Sequence, residues 1–287
     1  MENGDRLRIQ LESAPRLYQA SSRSFQFWKI LALPLLLFIA IPLLALFAHV
    51  SITDLLKNLN QRQVIEAISL SLITSFTATF ITLIFGTPVA YLLTQRQSRY
   101  YRLVDTLIDL PLILPPSVAG VALLMAFGRN GMIGGWLSAI GIEIPFTMTA
   151  VIMAQVFIAS PFYVKAASIG FSAIDPELKQ AASLDGAGNW RIFREIDLPL
   201  SRMALLSGSV MTWARALGEF GATIIFAGNF PGRTQTMPLA IYMGFEIDME
   251  VALTLSVILI GLSFLTLIIV KGILHRRIEA DLEFRST

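Results

Sequence analysis

QAASLDGAGNWRIFREIDLPL, residues 180–200, stands apart in a chain otherwise dominated by apolar runs. Apolar runs long enough to cross a bilayer flank it, yet it holds charges, an alanine pair, two glycines and a closing Leu-Pro. Its local chemistry is ordered. Asp175-Pro176, just upstream, starts a helix: Asp caps free backbone N–H groups and Pro suits the first helical position. Glu177 adds negative charge to that first turn. Leu178, Ala181, Ala182 and Leu184 share one broad face, and Gly186 and Gly188 break the helix. Asn189 is placed to cap a second helix, in which Trp190, Phe193 and Ile196 recur at three-residue spacing, and Leu198-Pro199 ends it. The result is two short helices joined at a bend, with a small apolar patch at the tip. Such a segment can lie on a lipid surface or dock on a protein. The alanine pair and glycines suit close helix docking better than lipid burial.

The surrounding chain is a membrane protein by composition. Of 287 residues, 55% are hydrophobic and only 15% charged, and the mean hydropathy is +0.67. There is no cysteine, which excludes disulfides, thiol catalysis and Cys-based metal sites. His49 and His275 lie far apart and read as interfacial residues rather than metal ligands. Six runs are candidate spans: 30–48, 67–94, 110–128, 144–164, 203–228 and 251–270. The fifth is interrupted only by Arg215 and Glu219. Open irregular backbone is too costly in lipid, so the spans are expected to be helices, an all-α membrane fold. Residues 131–141 are too short to span and read as a surface or re-entrant half-helix. The first run exceeds a signal-peptide core of about 7–15 residues and lacks a small-x-small cleavage site, so it reads as a span.

Lys and Arg set the orientation. With the N-terminus inside, seventeen basic residues fall in cytoplasmic segments against four outside (Lys57, Arg62, Arg129 and Arg233). Both termini are therefore expected in the cytoplasm, together with the 175–200 segment. The chain divides into a polar tail (1–24), an N-terminal span with its external loop (25–62), a five-span core (63–271) and a C-terminal tail (272–287).

The opening stretch resembles the EAA loop of ABC-transporter permeases, EAA-x3-G-x9-I-x-LP. Gln180-Ala181-Ala182, Gly186, Ile196 and Leu198-Pro199 fall at every spacing, and Gln180 stands where the family usually has Glu. The resemblance covers about residues 63–271 and implies the type-1 importer permease fold, with residues 30–48 as an additional N-terminal span. It also implies that this loop, Glu177 included, docks on an ATP-hydrolysing subunit. A second resemblance concerns cargo. ARALGEFGATIIFAGNFPGRTQTMPLAIY, residues 214–242, and LPLILPPSVAGVALL, residues 110–124, look like segments of molybdate permeases. Sulfate permeases share the GE[FY]G and AGN elements but differ after them. The resemblance thus implies molybdate, with tungstate a near-isostere and sulfate the alternative.

Three features inside the spans invite a function. Pro115-Pro116 would kink its helix and free backbone carbonyls, for packing or for a pathway. Arg215 and Glu219, at i,i+4, can neutralise each other and either brace a seam or gate a pore, with Gly218 and Gly221 permitting close approach. The hydroxyls of the second span, Ser69 to Thr82, suit interhelical hydrogen bonds more than solute binding.

The sequence has no G-x-x-x-x-G-K-[ST] phosphate cradle, so ATP hydrolysis is expected on a separate subunit. The resemblance implies two copies of an ATPase holding ATP-Mg, a second permease copy (a homodimer), an external solute-binding protein and the lipid bilayer. This chain itself is expected to be non-catalytic and to bind no cofactor, metal or nucleic acid. A membrane-embedded enzyme is the remote alternative. It would need clustered carboxylates or histidines, and Asp105 and Asp109, one helical turn apart, come nearest. A passive channel would need no docking loop.

Overall fold

The structure, a computed structural model, describes residues 28–95 and 98–286, with side chains up to residue 269 and at 271–272. The polar tail expected over residues 1–24 and the side chains of Arg96, His275, Arg276, Arg277 and Arg285 lie outside the described residues. Every regular element among the described residues is helical.

The chain divides into two compact units, residues 1–51 and 52–287. The first contains α1 (Trp28–His49), 22 residues long and apolar enough to cross a membrane. Near its end, His49 Nδ1 lies 2.7 Å from the Ala45 carbonyl oxygen.

The second unit contains α2 (Ile52–Asn58), α3 (Arg62–Gln95), α4 (Arg99–Ile113), α5 (Pro116–Phe127), α6 (Gly134–Ala139) and α7 (Met148–Ser172). It continues through α8 (Pro176–Leu184), α9 (Asn189–Ile192), a π-helical turn (Phe193–Asp197), α10 (Leu198–Leu217), α11 (Gly221–Phe226), α12 (Met237–Ile247) and α13 (Met249–Ser286). α7 is its axis. Ala150, Ala154, Ala159 and Ala167 are buried on it, and it packs against α3, α10, α11, α4 and α5. Small residues let the helix backbones approach: a Cβ on Gly170 would stand 2.5 Å from Ala204 Cβ of α10, and one on Gly86 of α3 would stand 2.9 Å from the Tyr163 ring.

Several expectations need correction. The expected span 110–128 is not one helix: α4 and α5 meet at 118°. Leu114, which precedes Pro115, is extended (φ −65°, ψ 135°), because a residue before proline is pushed out of the helical region. Pro115 and Pro116 then bring no N–H to continue the ladder. The expected span 203–228 is likewise broken, into α10 and α11 at residues 218–220. The span expected over 144–164 is shifted toward its C-terminus as α7, whose start is set by Thr147 Oγ1 accepting from Ala150 N at 3.3 Å. Lys165 is therefore inside α7 rather than in a connection. Residues 131–141 form only the short α6. Among the described residues, α1, α3, α7 and the 249–269 part of α13 are long and apolar enough to cross a membrane, and α4–α5 makes a fifth if it counts as one broken span.

The hydroxyl row of α3 mostly bonds its own helix: Thr77, Thr79 and Thr82 donate to carbonyls four residues back. Ser71 and Ser75 do tie helices together. Ser71 Oγ accepts from Met237 N at 2.7 Å, and Ser75 Oγ accepts from Trp213 Nε1 at 3.0 Å.

Candidate coupling hairpin and pathway break

α8 and α9 form the helix–bend–helix expected from residues 175–199. Asp175 Oδ1 accepts from Glu177 N at 2.9 Å, and Pro176 opens the helix. α8 ends in a paired-bond cap: Ala187 N donates to Ala182 O at 2.9 Å and Gly186 N to Ser183 O at 3.1 Å. This pairing requires a left-handed residue between them, and Gly186 supplies it with φ +84°. Glu177, Gln180 and Ala181 are exposed, and Ala182 is half-buried beside the cap. Leu184 is 88% and Trp190 72% exposed, so the two helices carry large apolar side chains at the surface.

The second half differs from expectation. Gly188, not Asn189, precedes the first turn of α9, and it brings no side-chain cap. Leu198-Pro199 does not end the helix. α9, the π-turn and α10 follow one another without a break. Pro199 has no N–H and its ring crowds the preceding turn; the widened π-turn, closed by Leu198 N–H on Phe193 O, sits directly before it and absorbs the mismatch. Ile196 is half-buried, while Leu198 and Pro199 are exposed.

The structure adds three residues to this site that sequence spacing did not single out. Asp197, the variable position of I-x-LP, is fully buried. Its Oδ2 accepts from Tyr91 Oη of α3 at 2.9 Å, and its Oδ1 lies 2.8 Å from Lys179 Nζ of α8 as an ion pair. A buried carboxylate in a polar loop gives no periodic signal. The only hint was an acidic residue between two apolar positions, Ile196 and Leu198.

The second group of residues lies where α10 breaks. Gly218 ends α10, and Glu219 is 1% exposed in the gap before α11. Glu219 Oε2 lies 2.7 Å from Arg215 Nη1, and its Oε1 accepts from Ala222 N at 2.9 Å. The expected pair exists, but across a helix end rather than along one face, and it doubles as a cap on α11. The α10–α11 break also meets the α4–α5 break: a Cβ on Gly221 would stand 2.7 Å from Pro116 Cβ. A Cβ on Gly120 would stand 2.8 Å from Ala222 O. Pro116, Gly218, Glu219 and Gly221 are thus brought together at this one corner, with Arg215 entering from the last turn of α10.

Asp105 and Asp109 are drawn to one cation. Lys165 Nζ lies 2.6 Å from Asp105 Oδ1 and 2.8 Å from Asp109 Oδ2, which ties α4 to α7. That arrangement gives the two carboxylates a structural occupation.

Residues 82–283 match the model of the binding-protein-dependent transport system inner membrane component family. The chain belongs to that family. It is thus a multi-pass membrane protein of a family of transport components. It is 35% identical over 282 residues to the "Probable transport system permease protein NifC" of Clostridium pasteurianum, covering 94% of this chain and 98% of that protein. It is 36% identical over 233 residues to the molybdenum transport system permease protein ModB of Mycobacterium tuberculosis, covering 81% and 88% of the two chains. It is 33% identical over 227 residues to the sulfate transport system permease protein CysW of Synechococcus elongatus, covering 79% of each. Among solved structures, a chain of a bacterial ABC transporter involved in import of the acidic polysaccharide alginate superposes with a TM-score of 0.69 at 18% identity, covering 92% of this chain and 99% of that one. The permease fold of ABC importers is therefore the fold of this chain.

Proposed function

We propose that this chain is the membrane permease subunit of an ATP-driven importer of molybdate. The observation that carries the import reading is the α8–α9 hairpin, a capped bend that presents Leu184 and Trp190 outward. The cargo is argued from ModB of Mycobacterium tuberculosis, named for molybdenum, which is 36% identical over 81% of this chain, against 33% over 79% for the relative named for sulfate. Sulfate is the second reading, favoured by the likeness to CysW.

In this reading six segments cross the membrane, with α4–α5 and α10–α11 each a broken span and both termini cytoplasmic. The partners are a second copy of this chain, two ATPase subunits carrying ATP-Mg, and an external solute-binding protein. This chain is non-catalytic and holds no cofactor of its own. Closure of the ATPase pair pushes the hairpin, whose docking residues are Glu177, Gln180, Ala181, Ala182 and Gly186. Ile196, Leu198 and Pro199 pass the displacement into α10. α10 then moves the corner where Arg215, Gly218, Glu219, Gly221, Pro115 and Pro116 lie, and the pathway opens to alternate sides.

The test is uptake into proteoliposomes holding the complete complex, with labelled molybdate and labelled sulfate offered separately. Saturable, ATP-dependent molybdate uptake that excess sulfate does not compete is the expected result. Sulfate uptake with no molybdate uptake would replace the cargo. For topology, cysteines replace Ala187 and Pro231; Gly232 is avoided because its φ is +70° and a Cβ there would stand 2.9 Å from Glu66. Membrane-impermeant reagent is expected to reach Ala187→Cys only from the cytoplasmic side and Pro231→Cys only from outside. Labelling of both from one side would overturn the orientation.

A further inference from the structure

Asp197 occupies a three-way junction. It closes the π-turn and immediately precedes α10; Lys179 reaches it from α8 and Tyr91 from α3. Each carboxylate oxygen faces a different element, so the side chain bridges two helices that are distant in sequence. Its surroundings are apolar. Ile192 is buried one turn earlier, and the Tyr91 ring packs edge-on against Phe193 at 4.9 Å and Phe171 at 5.5 Å. A buried carboxylate in such a place is no efficient source of stability, because an apolar side chain of similar volume would fill the site without a desolvation cost. What it does provide is register: the ion pair and hydrogen bond are satisfied only when α8, α3 and the start of α10 hold one relative position. α10 has 20 residues, so at 1.5 Å per residue it carries a displacement about 30 Å, to the Arg215–Glu219 corner.

We propose that Asp197 is a positioning residue that locks the coupling helix α8 to α3 and α10, so that the two move as one body when the hairpin is pushed. This rests on the reading of α8–α9 as the coupling hairpin. Without the lock, α8 slides against α3, and the push is absorbed in the groove of about 530 Å³ between them, which Gln95, Lys179 and Ser183 help to line. The ATPase can then turn over while the pathway stays still.

The decisive variants are Asp197→Asn, which removes the charge facing Lys179, and Tyr91→Phe. Tyr91→Phe keeps the ion pair and the ring packing, so it guards against a simple folding defect. The chain has no cysteine, so Gln95→Cys and Ser183→Cys accept spin labels on a clean background. In the assembled complex the distance distribution between the labels is expected to be single and narrow. Asp197→Asn should broaden it about twofold and Tyr91→Phe by less, since the ion pair outweighs the single hydrogen bond. In the same preparations, ATP hydrolysed per molybdate imported should rise roughly tenfold in Asp197→Asn, with the amount of complex unchanged. An unchanged label distribution overturns the lock. So does a fall of uptake and ATP hydrolysis together, in proportion to lost complex and at constant ratio, which marks Asp197 as structural only. A wild-type complex whose ATP hydrolysis ignores the binding protein would instead overturn the import reading, whereas the label distances report on the lock without reference to transport.

Discussion

Breaking the Arg215–Glu219 pair from either side should have unequal consequences, and the inequality follows from burial. Glu219 is 1% exposed, whereas Arg215 is 29% exposed. Arg215→Met leaves a buried carboxylate without its ion-pair partner. It must then be carried as an uncompensated charge or protonated, a penalty of about 3–5 kcal/mol. Glu219→Gln leaves a guanidinium that can turn its free edge toward solvent, and the Gln carbonyl can still accept from Ala222 N, as Glu219 Oε1 does at 2.9 Å. Its penalty should be nearer 1–2 kcal/mol, roughly that of one lost charge-assisted hydrogen bond. The double variant removes both charges while keeping the cap on α11, and should recover most of the loss. The assay is the amount of monodisperse permease complex after mild heating in detergent, with uptake measured on the same samples. The expected order of complex recovered is wild type, double variant, Glu219→Gln, then Arg215→Met. If the two single variants lose the same amount, or the double variant is the worst of the three, pairing across the α10–α11 break is not what holds this corner. If all three assemble normally but transport at altered rates, the pair gates the pathway rather than bracing it.

Three further outcomes can be checked. At Gly186 there is open space around the site but φ is +84°, so Gly186→Asn should retain most binding-protein-stimulated ATP hydrolysis, whereas Gly186→Val, costing about 1–2 kcal/mol in the left-handed region, should lose it. Gly120→Leu should prevent assembly by forcing α5 away from α11, while Gly261→Ala, where a Cβ meets nothing within 4 Å, should be neutral or slightly stabilising; comparing purification yields separates the two. Lys165→Met strands two carboxylates between α4 and α7 and should lower thermal stability more than Asp105→Asn, which leaves Asp109 on the lysine; equal losses in a melting assay would count against a shared ion pair.

The sequence by itself settled the class and the hairpin. Apolar run length is a direct consequence of bilayer thickness, so α1, α3 and the 249–269 part of α13 could be read to within about five residues, while α7 was found but placed up to about eight residues too early. The Asp175-Pro176 start and the Gly186 stop are local chemistry, fixed by backbone donors and by the left-handed conformation only glycine enters freely, and both stand as read. Local chemistry failed where another element decides the outcome. Pro199 looked like a helix end because proline cannot bond backward, yet a π-turn lets the helix run on into α10. Runs 110–128 and 203–228 were each read as one span because hydropathy counts residues and takes no account of direction. Only packing, with Pro116 seated on Gly221, shows two broken helices meeting. The partners of Asp197 were hidden for the same reason. A buried charge is recognisable only by what neutralises it, and Tyr91 lies 106 residues away along the chain. Periodicity and spacing report on forces that act within a turn or two of helix, whereas contacts between distant helices exist only once the chain has closed on itself.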